Sequence, residues 1–501
     1  MDLRLTVPAV AVWAVTLGAL LGPSWTAPTL AGVAGATTVV LVVACVRRWV
    51  TWRVVGLAVV ACGMTATCAA AMALRLDARD DHPVASIRGK TQMTVTVRDD
   101  PKTLGPAARG RVIVRVSVEA VRSRPVPRAT ADLVGRASEW AALVPGQRVN
   151  ALVTVRPPRS GDLAVARLAA GGAPRLLGRP PPPQRTAAHI RARLQENAFR
   201  ALPTDEAGLL PGLVLGDESG QSPQVRDDFR AAGLSHLTAV SGANFAIVVG
   251  AAILFIRLFG ASPRVAAVAG FVVIVGFVIL VRPSPSVIRA ALMGSVGLLA
   301  LLSSRRATAM PALGVAVIGG LLWWPELATA PGFALSVAAT AGLVVLAPGI
   351  RDWLRDARVP PGIAEVLAIA IAAQIVTAPL IALINGRFSV VSVIANVVVA
   401  PVVGIISILG VVAAVLGALG PSGGLGTVAA ELLIRALGPE VWWMVACARL
   451  FGGWRWATLD IPDGVPGAVL VLAATAAVAA VIAAWRARRA DRRNRLARWA
   501  P

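Results

Sequence analysis

The sequence is poor in the side chains that hold metal ions and form disulfides. It contains four cysteines and three histidines in 501 residues. The cysteines all lie in apolar runs and form neither a CxxC motif nor a cluster with histidine: Cys45, Cys62, Cys68 and Cys447. This pattern argues against a zinc site and against a disulfide framework. Any metal-dependent chemistry would have to rely on carboxylates. We expect no metal, no cofactor and no catalytic residues.

Lysine is nearly absent, and charged residues of any kind are few. Lys90 and Lys102 are the only lysines, yet the formal net charge is +23 because arginine supplies the excess. Only 15% of the residues are charged and 56% are hydrophobic, with a mean hydropathy of +0.71. These values are typical of a polytopic α-helical membrane protein. Arginine clusters between apolar runs mark cytoplasmic loops, but arginine also binds phosphate, so a polyanionic partner stays open.

Apolar runs of the length that crosses a bilayer predict about twelve transmembrane helices. Three form an N-terminal membrane segment at residues 1–75, and nine form a membrane domain at residues 236–485. The predicted spans are 5–21, 29–46, 54–74, 236–259, 265–281, 287–302, 308–324, 333–348, 362–384, 391–419, 427–447 and 466–485. The arginines at 47–53 and in the tail at 486–501 predict that both termini are cytoplasmic.

Between these membrane parts, residues 76–182 predict a small all-β domain outside the cytoplasm. Segments such as TQMTVTVRD and GRVIVRVSVEAV alternate polar and apolar residues and are rich in β-branched side chains. The length fits a five-stranded barrel, although the number of strands alone does not choose one. Residues 183–235 follow as a proline linker and amphipathic helices that we expect at the membrane surface. Ser222 before Pro223 predicts the start of one of these helices.

Several polar side chains fall inside the predicted spans, where they are costly and therefore informative. Ser241 and Asn244 share one helix face, with Gly242 between them. Arg289 falls near the start of its helix, where a cation opposes the helix dipole. The candidate pore residues are Ser241, Gly242, Asn244, Arg289, Gln374 and Asn396. Two interpretations stay open: a packing face with interhelical hydrogen bonds, or the lining of a hydrophilic path.

Three further patterns carry less weight. RGKT at 88–91 lacks the first glycine of a phosphate-binding loop. Glu431 and Arg435 are spaced as a neutralising ion pair within a helix. Asp217, Glu218, Asp227 and Asp228 form an acidic cluster that could hold a divalent ion, but a solvated surface is the favoured interpretation.

The segment from Gly208 to Gly250 resembles the signature of the ComEC family of competence proteins, which are inner-membrane DNA channels. The residues that match the signature are Gly216, Asp217, Phe229, Gly233, His236 and the pair Ser241-Gly242. Further matches follow in order at 285–293, 331–346, 373–380 and 389–404, the last of which includes Pro401. The N-terminal spans and the β domain are also similar to the family's amino-terminal module. The resemblance therefore covers nearly the whole chain.

This resemblance implies that one DNA strand crosses the cytoplasmic membrane through residues 236–485 during natural transformation. It implies an OB-like fold for the β domain, a fold that suits single-stranded nucleic acid, although Trp140 is nearly the only aromatic residue there. It also implies three kinds of partner besides DNA: a ComEA-like membrane DNA receptor, a cytoplasmic helicase or DNA-processing protein, and a separate nuclease.

The chain departs from the family's pattern in two places. Asn244 stands where many members have a histidine, so a role for a titrating imidazole is in doubt. The sequence ends at Pro501 without the metallo-β-lactamase-like domain and has no HxHxDH motif, so we expect no nuclease activity and no other enzyme activity. A transporter of a small molecule or lipid intermediate on the same scaffold is the alternative function. A membrane hydrolase using the acidic cluster is a third hypothesis, disfavoured by the scarcity of histidine.

Overall fold

The chain divides into two compact units. The computed structural model describes residues 4–47, 52–104, 110–159, 161–238, 240–302, 308–421, 423–478 and 480. The first unit comprises Met1–Gln221, Leu237–Phe333 and Gly404–Val441, and the second comprises Ser222–His236, Ala334–Val403 and Trp442–Pro501. Arg48, Arg305, Arg306 and all of the tail at 486–501 lie outside the described residues, and the sidedness of the termini stays a prediction.

The first unit begins with three helices, α1 (Thr6–Leu21), α2 (Thr26–Val46) and α3 (Trp52–Asp80). α3 packs against both of the others, and the Thr16 hydroxyl on α1 lies 3.3 Å from the Cys68 sulfur on α3. α3 continues past its predicted end at residue 74, which carries Arg75 and Arg79 beyond the apolar run. The indole of Trp13 on α1 donates a hydrogen bond to the backbone oxygen of Ala328, 3.2 Å away.

A small β-barrel follows α3. Its strands are β1 (Gly89–Val97), β2 (Lys102–Thr103), β3 (Arg111–Val121), β4 (Arg124–Arg136), β5 (Arg148–Arg156), β6 (Ala166–Ala170) and β7 (Arg175–Leu176). Five of them close the barrel in the order β1-β3-β4-β6-β5, and β5 pairs again with β1. All of these pairs are antiparallel except β4 with β6. The prediction of a small all-β element is confirmed.

The barrel closes around alternate side chains of its strands. On β3, Val112, Val114, Val116 and Val118 are fully buried, as the alternation in the sequence predicts. Trp140, in the short helix α4 (Ala137–Trp140), is also fully buried, and its indole donates to the Gly172 oxygen at 3.1 Å. The ring lies against Gly135, where a Cβ would overlap it. The one tryptophan of the barrel is therefore a core residue and presents no stacking face.

Further helices of the first unit follow the barrel and include two that carry parts of the family-like signature. They are α5 (Pro182–Ala201), α6 (Thr204–Leu215), α8 (Gly242–Leu258), α9 (Pro263–Val281), α10 (Pro285–Leu302), α11 (Ala309–Trp323) and α16 (Leu425–Ala436). α8, α9 and α10 pack against one another, and α10 packs against α11. The proline run ends in a helix earlier than predicted, because proline is favoured at the first helical positions and α5 starts at Pro182.

Part of the polar side of α5, which the sequence predicts at the membrane surface, is enclosed within the protein. It packs against α6, α9 and α16, and Arg193 is only 5% exposed. The Arg193 guanidinium donates to the Gly417 oxygen at 3.1 Å and to the Thr427 hydroxyl at 2.7 Å. Arg193 thus satisfies acceptors within the protein, and the place of α5 at a membrane surface stays a prediction.

The second unit contains mainly helices. They are α7 (Pro223–Ala231), α13 (Ala347–Asp356), α14 (Pro361–Asn385) and α18 (Val465–Val478), and three helices have residues in both units: α12 (Pro331–Val345), α15 (Ser392–Gly417) and α17 (Gly438–Gly452). Two short strands, β8 (Arg387–Ser389) and β9 (Thr458–Asp460), pair antiparallel. α7 starts as predicted, since the Ser222 hydroxyl accepts from the Val225 N–H at 3.3 Å.

The chain is a polytopic helical membrane protein, but the predicted twelve spans are not confirmed. Among the described residues, six helices are long and apolar enough to cross a bilayer, or seven if α12 and α13, bent by 46°, form one span. Shorter apolar helices lie at Thr6–Leu21, Pro285–Ala300, Ala309–Trp323 and Val465–Val478. Each of these coincides with a predicted span.

The predicted span at 427–447 is wrong as a single helix. The structure ends α16 at Ala436 and begins α17 at Gly438. Pro439 explains the break, because proline disfavours the helical conformation of the residue before it and cannot donate a backbone hydrogen bond. The predicted Glu431–Arg435 pair is present at 3.9 Å, and Arg200 of α5 also approaches Glu431 at 3.6 Å.

Candidate functional site

Ser241 caps the N-terminus of α8, which explains its place at the start of an apolar helix. Its hydroxyl oxygen accepts from the Asn244 N–H at 3.1 Å and donates to the Asn244 side-chain oxygen at 2.9 Å. The first N–H groups of a helix have no partner within the helix, and a serine cap satisfies one of them. Ser241 and Asn244 are therefore in contact, although Ser241 is the cap that precedes α8 and does not lie on a helix face as predicted.

Asn244 connects α8 to the end of α6. The side chain is 2% exposed, and its amide nitrogen donates to the Leu213 oxygen at 3.3 Å. Leu213 lies in the last turn of α6, where carbonyl groups lack partners within the helix. Asn244 therefore forms one hydrogen bond between two helices, as the packing interpretation expects.

The end of α6 is held by further contacts. Gly216 has φ of +70°, a left-handed conformation that favours glycine, and its N–H bonds to the Gly212 oxygen. A Cβ on Gly212 would overlap both the Gln221 amide and the Thr238 backbone oxygen. Gln221 also donates to that Thr238 oxygen at 3.3 Å. The glycines of this signature thus allow the chain after α6 to fold back closely on the helix.

Arg289 lies against Gly242. Arg289 is 8% exposed, and a Cβ at residue 242 would overlap its Nη2 atom. Its Nη1 atom lies 3.2 Å from the Met293 sulfur, one turn further along α10. Glycine at 242 is therefore required if the guanidinium is to lie beside the start of α8. This arrangement brings four of the predicted pore residues, Ser241, Gly242, Asn244 and Arg289, into one cluster, here called the α8 cluster.

An ion-pair network adjoins the end of α6, and no local sequence pattern predicts its pairs. Arg191 of α5 lies 3.5 Å from Asp217 and 3.6 Å from Asp100, and it donates to the Leu215 oxygen at 2.6 Å. Arg282, just after α9, pairs with Asp100 at 3.0 Å. Asp100 follows β1, so the network joins the barrel to the helices of the first unit. We call these four residues the Asp217 network.

The Asp217 network accounts for part of the predicted acidic cluster. Asp217 pairs with an arginine, and Asp227 of α7 pairs with Arg230 at 2.9 Å. In the part of the chain that the structure describes, no group of three His, Cys, Asp or Glu side chains is arranged to hold a metal ion.

A sequence signal for Arg282 does exist, since it directly precedes Pro283 between two apolar runs. Its φ of +76° is rare for a residue other than glycine and marks a held conformation.

The second unit holds the other two predicted pore residues. Gln374 of α14 donates to the Ser389 oxygen at 3.3 Å. Asn396 of α15 donates to the Ser392 oxygen at 2.8 Å and lies 3.3 Å from its hydroxyl. The Ser389 hydroxyl in turn donates to the Ala231 oxygen at the end of α7 at 3.0 Å. Gln374 and Asn396 thus both hold the short segment 389–392.

The signature residues in and after α7 shape the same part of the second unit. Gly233 has φ of +74°, and a Cβ there would lie 2.6 Å from the Ser392 side chain. Phe229 is fully buried, and its oxygen accepts from the Leu234 N–H at 2.8 Å, which closes the end of the helix. His236 lies just beyond, in the 3-10 turn Ser235–Leu237.

Two prolines lie inside helices of the second unit. Pro379 lies within α14 and Pro401 within α15, and each removes one backbone hydrogen bond. Near the interruption in α15, the Val398 oxygen accepts from the Trp443 indole at 3.2 Å. Such interruptions are tolerated at membrane depth where the backbone is buried or lines a cavity.

The comparisons with known proteins bear on this region. The family model for competence proteins matches residues 213–488, which is more than half of the chain and includes all six candidate pore residues. This chain belongs to the competence protein family. It is also 28% identical to ComE operon protein 3 of Bacillus subtilis (strain 168) over 201 residues, which are 40% of this chain and 25% of that protein. The chain therefore matches about a quarter of the length of this curated relative. No solved structure matches the chain.

Proposed function

We propose that this chain conducts single-stranded DNA across the cytoplasmic membrane during natural transformation. Membership of the competence protein family supports a role in DNA uptake. The helices that carry the family's region include long apolar ones suited to a bilayer. The finer assignment, one strand moving through a path within the helices, rests on the chemistry of the α8 cluster.

The buried Arg289 beside Gly242 is the observation that carries the proposal. A guanidinium among apolar helices is costly, and such residues generally mark a path for ions or substrate. Arginine also offers paired N–H donors that fit the oxygens of a phosphate. Because Gly242 has no side chain, the guanidinium faces the backbone at the positive end of α8, where anions are favoured. A cation and a helix N-terminus at one place suit a phosphodiester.

We assign the path in the second unit to Gln374 and Asn396. Their amides are neutral and have donors and acceptors, so they can hold a polar segment without binding phosphate tightly. A translocation path needs such weak contacts, because each nucleotide has to leave as readily as it arrives. Both residues belong to the region that matches the family model.

We infer that the β-barrel is OB-like and lies outside the cytoplasm. Five strands close the barrel. In chain order the third of them, β4, pairs in parallel with the fifth, β6. This arrangement suits the partly open Greek-key barrel of OB folds. The predicted sidedness would present it to arriving DNA. A membrane DNA receptor would deliver the strand, and a cytoplasmic helicase or DNA-processing protein would receive it. A separate nuclease would remove the other strand.

A transformation assay in a strain deleted for this gene tests the proposal. Complementation with Arg289→Leu is expected to lower the transformation frequency at least about tenfold, while the exposed control Arg257→Gln is expected to behave as wild type. Membrane levels of each variant are measured by immunoblot. Normal DNA uptake in the deletion strain would contradict the proposal and favour transport of a small molecule or lipid intermediate.

A further inference from the structure

A cavity of about 640 Å³ lies between the barrel, the end of α3 and the segment that follows α11. All of its walls belong to the first unit. The volume lies within the range of about 300–1,000 Å³ that is typical of small-molecule sites. None of the predicted pore residues lines the cavity, so it is distinct from the α8 cluster.

Four arginines give the cavity a cationic character: Arg75, Arg79, Arg98 and Arg128. Two of them have carboxylate partners, since Arg79 pairs with Asp80 and Arg128 with Glu119. Among the residues that the structure describes, Arg75 and Arg98 have no ion-pair partner. Glu119 and Glu326 also line the cavity, so the charge balance favours an anion without being uniformly positive.

Two adjacent tryptophans make another part of the cavity wall aromatic. Trp323 is 75% exposed and Trp324 38% exposed, and their ring centroids are 6.4 Å apart. The barrel's own tryptophan, Trp140, is fully buried and cannot stack on a ligand. Aromatic faces beside the barrel therefore come from the membrane helices.

The walls of the cavity are tied to each other. The Arg75 guanidinium of α3 donates to the Leu322 oxygen at 2.8 Å, directly before the two tryptophans. From the barrel, Arg115 approaches Glu326 at 3.9 Å and pairs with Asp162 at 2.9 Å. Burial lowers the pKa of Arg115, but Asp162 and Asp132 outweigh this effect and raise it, so the guanidinium stays charged. The tryptophans are thus held at a fixed position relative to the barrel.

We propose that this cavity binds one or two nucleotides of single-stranded DNA before the strand reaches the α8 cluster. The phosphate contacts Arg75 and Arg98, and an unpaired base stacks on Trp323 or Trp324. Single-strand sites generally combine a cationic groove with aromatic faces, and both are present here. A duplex base is already stacked on its neighbours, so the cavity selects an unpaired strand. This inference rests on the proposed function and names a binding site for its substrate.

Binding of a labelled fifteen-residue thymidine oligonucleotide tests this site. The full chain is reconstituted in nanodiscs of phosphatidylcholine, and affinity is measured by fluorescence anisotropy at several salt concentrations. The double variant Trp323→Ala/Trp324→Ala is expected to weaken binding at least about fivefold. Trp323→Phe/Trp324→Phe is expected to keep most of the affinity. Arg98→Gln is expected to lower the slope of log affinity against log salt by about 0.7.

Matched controls separate this site from general effects of charge and aromaticity. Trp454 is 68% exposed and does not line the cavity, so Trp454→Ala should bind as wild type. Arg136→Gln removes an exposed barrel arginine outside the cavity and should also bind as wild type. Photo-crosslinking with 5-iododeoxyuridine DNA should place an adduct on Trp323 or Trp324.

Each alternative outcome contradicts a different statement. If wild type binds the oligonucleotide and the tryptophan variants bind equally well, the cavity proposal is overturned and the proposed function stands. If those variants lose co-purifying anionic lipid but not DNA, the cavity is a site for a lipid headgroup. If wild type binds no single-stranded DNA, both the cavity proposal and the proposed function are overturned.

Discussion

The side-chain amide of Asn244 donates a hydrogen bond to the backbone oxygen of Leu213, 3.3 Å away and buried from solvent. One residue of the family's region thereby joins the start of α8 to the end of α6. Because asparagine is neutral at all physiological pH values, this contact is independent of pH. A histidine at the same position would instead carry a titratable group.

Replacing Asn244 with leucine should destabilise the first unit. The variant leaves the Leu213 oxygen without its partner and removes an acceptor for the Ser241 hydroxyl, so we expect a loss of about 1–3 kcal/mol. Thermal unfolding in detergent measures the change. Ser241→Ala, which removes the cap but leaves the Asn244 amide, should cost about 1 kcal/mol. Equal unfolding temperatures for Asn244→Leu and wild type would contradict this account of the contact.

Adding one methyl group at Gly242 should displace Arg289. A Cβ there would overlap the guanidinium, and overpacking of this kind costs about 1–3 kcal/mol. We expect Gly242→Ala to reach the membrane but to transform poorly. Gly250→Ala is the matched control on the same helix, because nothing lies within 4 Å of a Cβ at that position. Equal transformation by the two variants would show that the position of Arg289 is unimportant.

The Asp217 network should act as a coupled unit. Asp217→Asn and Arg191→Gln each remove one partner of a contact at 3.5 Å. Residues in direct contact show coupling energies of about 0.5–3 kcal/mol, so the double variant should be less destabilised than the sum of the single variants. The free energies of unfolding of the two single variants and the double variant, measured in detergent, give the coupling energy. Asp227→Asn, which changes an exposed pair on α7, is the control, and additive effects for Asp217 and Arg191 would contradict the network.

Asp99, next to the network, should make the barrel less stable as pH rises. Burial raises the pKa of Asp99 above its usual value of about 3.9, although Lys102 and Arg115 oppose the shift. The folded state therefore binds this proton more tightly than the unfolded chain. The stability that Asp99 contributes is present at acid pH and is lost as pH rises from about 4 through the folded pKa. Asp99→Asn should unfold at a higher temperature at pH 7 than wild type, with a smaller difference at pH 4. An unchanged difference between the two pH values would contradict the raised pKa.

Local patterns in the sequence account for much of the fold. The alternation of polar and apolar residues predicts β3 as a strand with one buried face. The long apolar runs predict the helices α9 and α14. In each case the pattern lies within the element itself. β4 was not predicted, since its prolines and arginines interrupt the alternation. The break between α16 and α17 was missed because hydropathy counts apolar residues and ignores Pro439.

Only some contacts of the candidate site could be predicted from the sequence. Ser241 and Asn244 were predicted to share one helix face because they are three residues apart, and the structure brings them into contact with Ser241 as the cap of α8. Gly242 against Arg289, and Arg191 with Asp217, depend on how distant helices pack, which no local pattern contains. Trp323 and Trp324 end an apolar run, a pattern that by itself indicates only anchors at the membrane interface, and only the fold shows that they line a cavity beside the barrel.

The most direct test of the central claim follows labelled DNA into cells that carry Arg289 variants. Cells complemented with wild type, Arg289→Lys, Arg289→Leu or Arg257→Gln receive radiolabelled duplex DNA, and external DNase then removes all label that has not crossed the membrane. We expect wild-type levels of protected single-stranded label for Arg257→Gln. We expect a partial loss for Arg289→Lys, which keeps the charge but not the paired donors, and little protected label for Arg289→Leu. Protected single strands at wild-type levels in Arg289→Leu cells, with the variant present in the membrane, would contradict a DNA path at the α8 cluster.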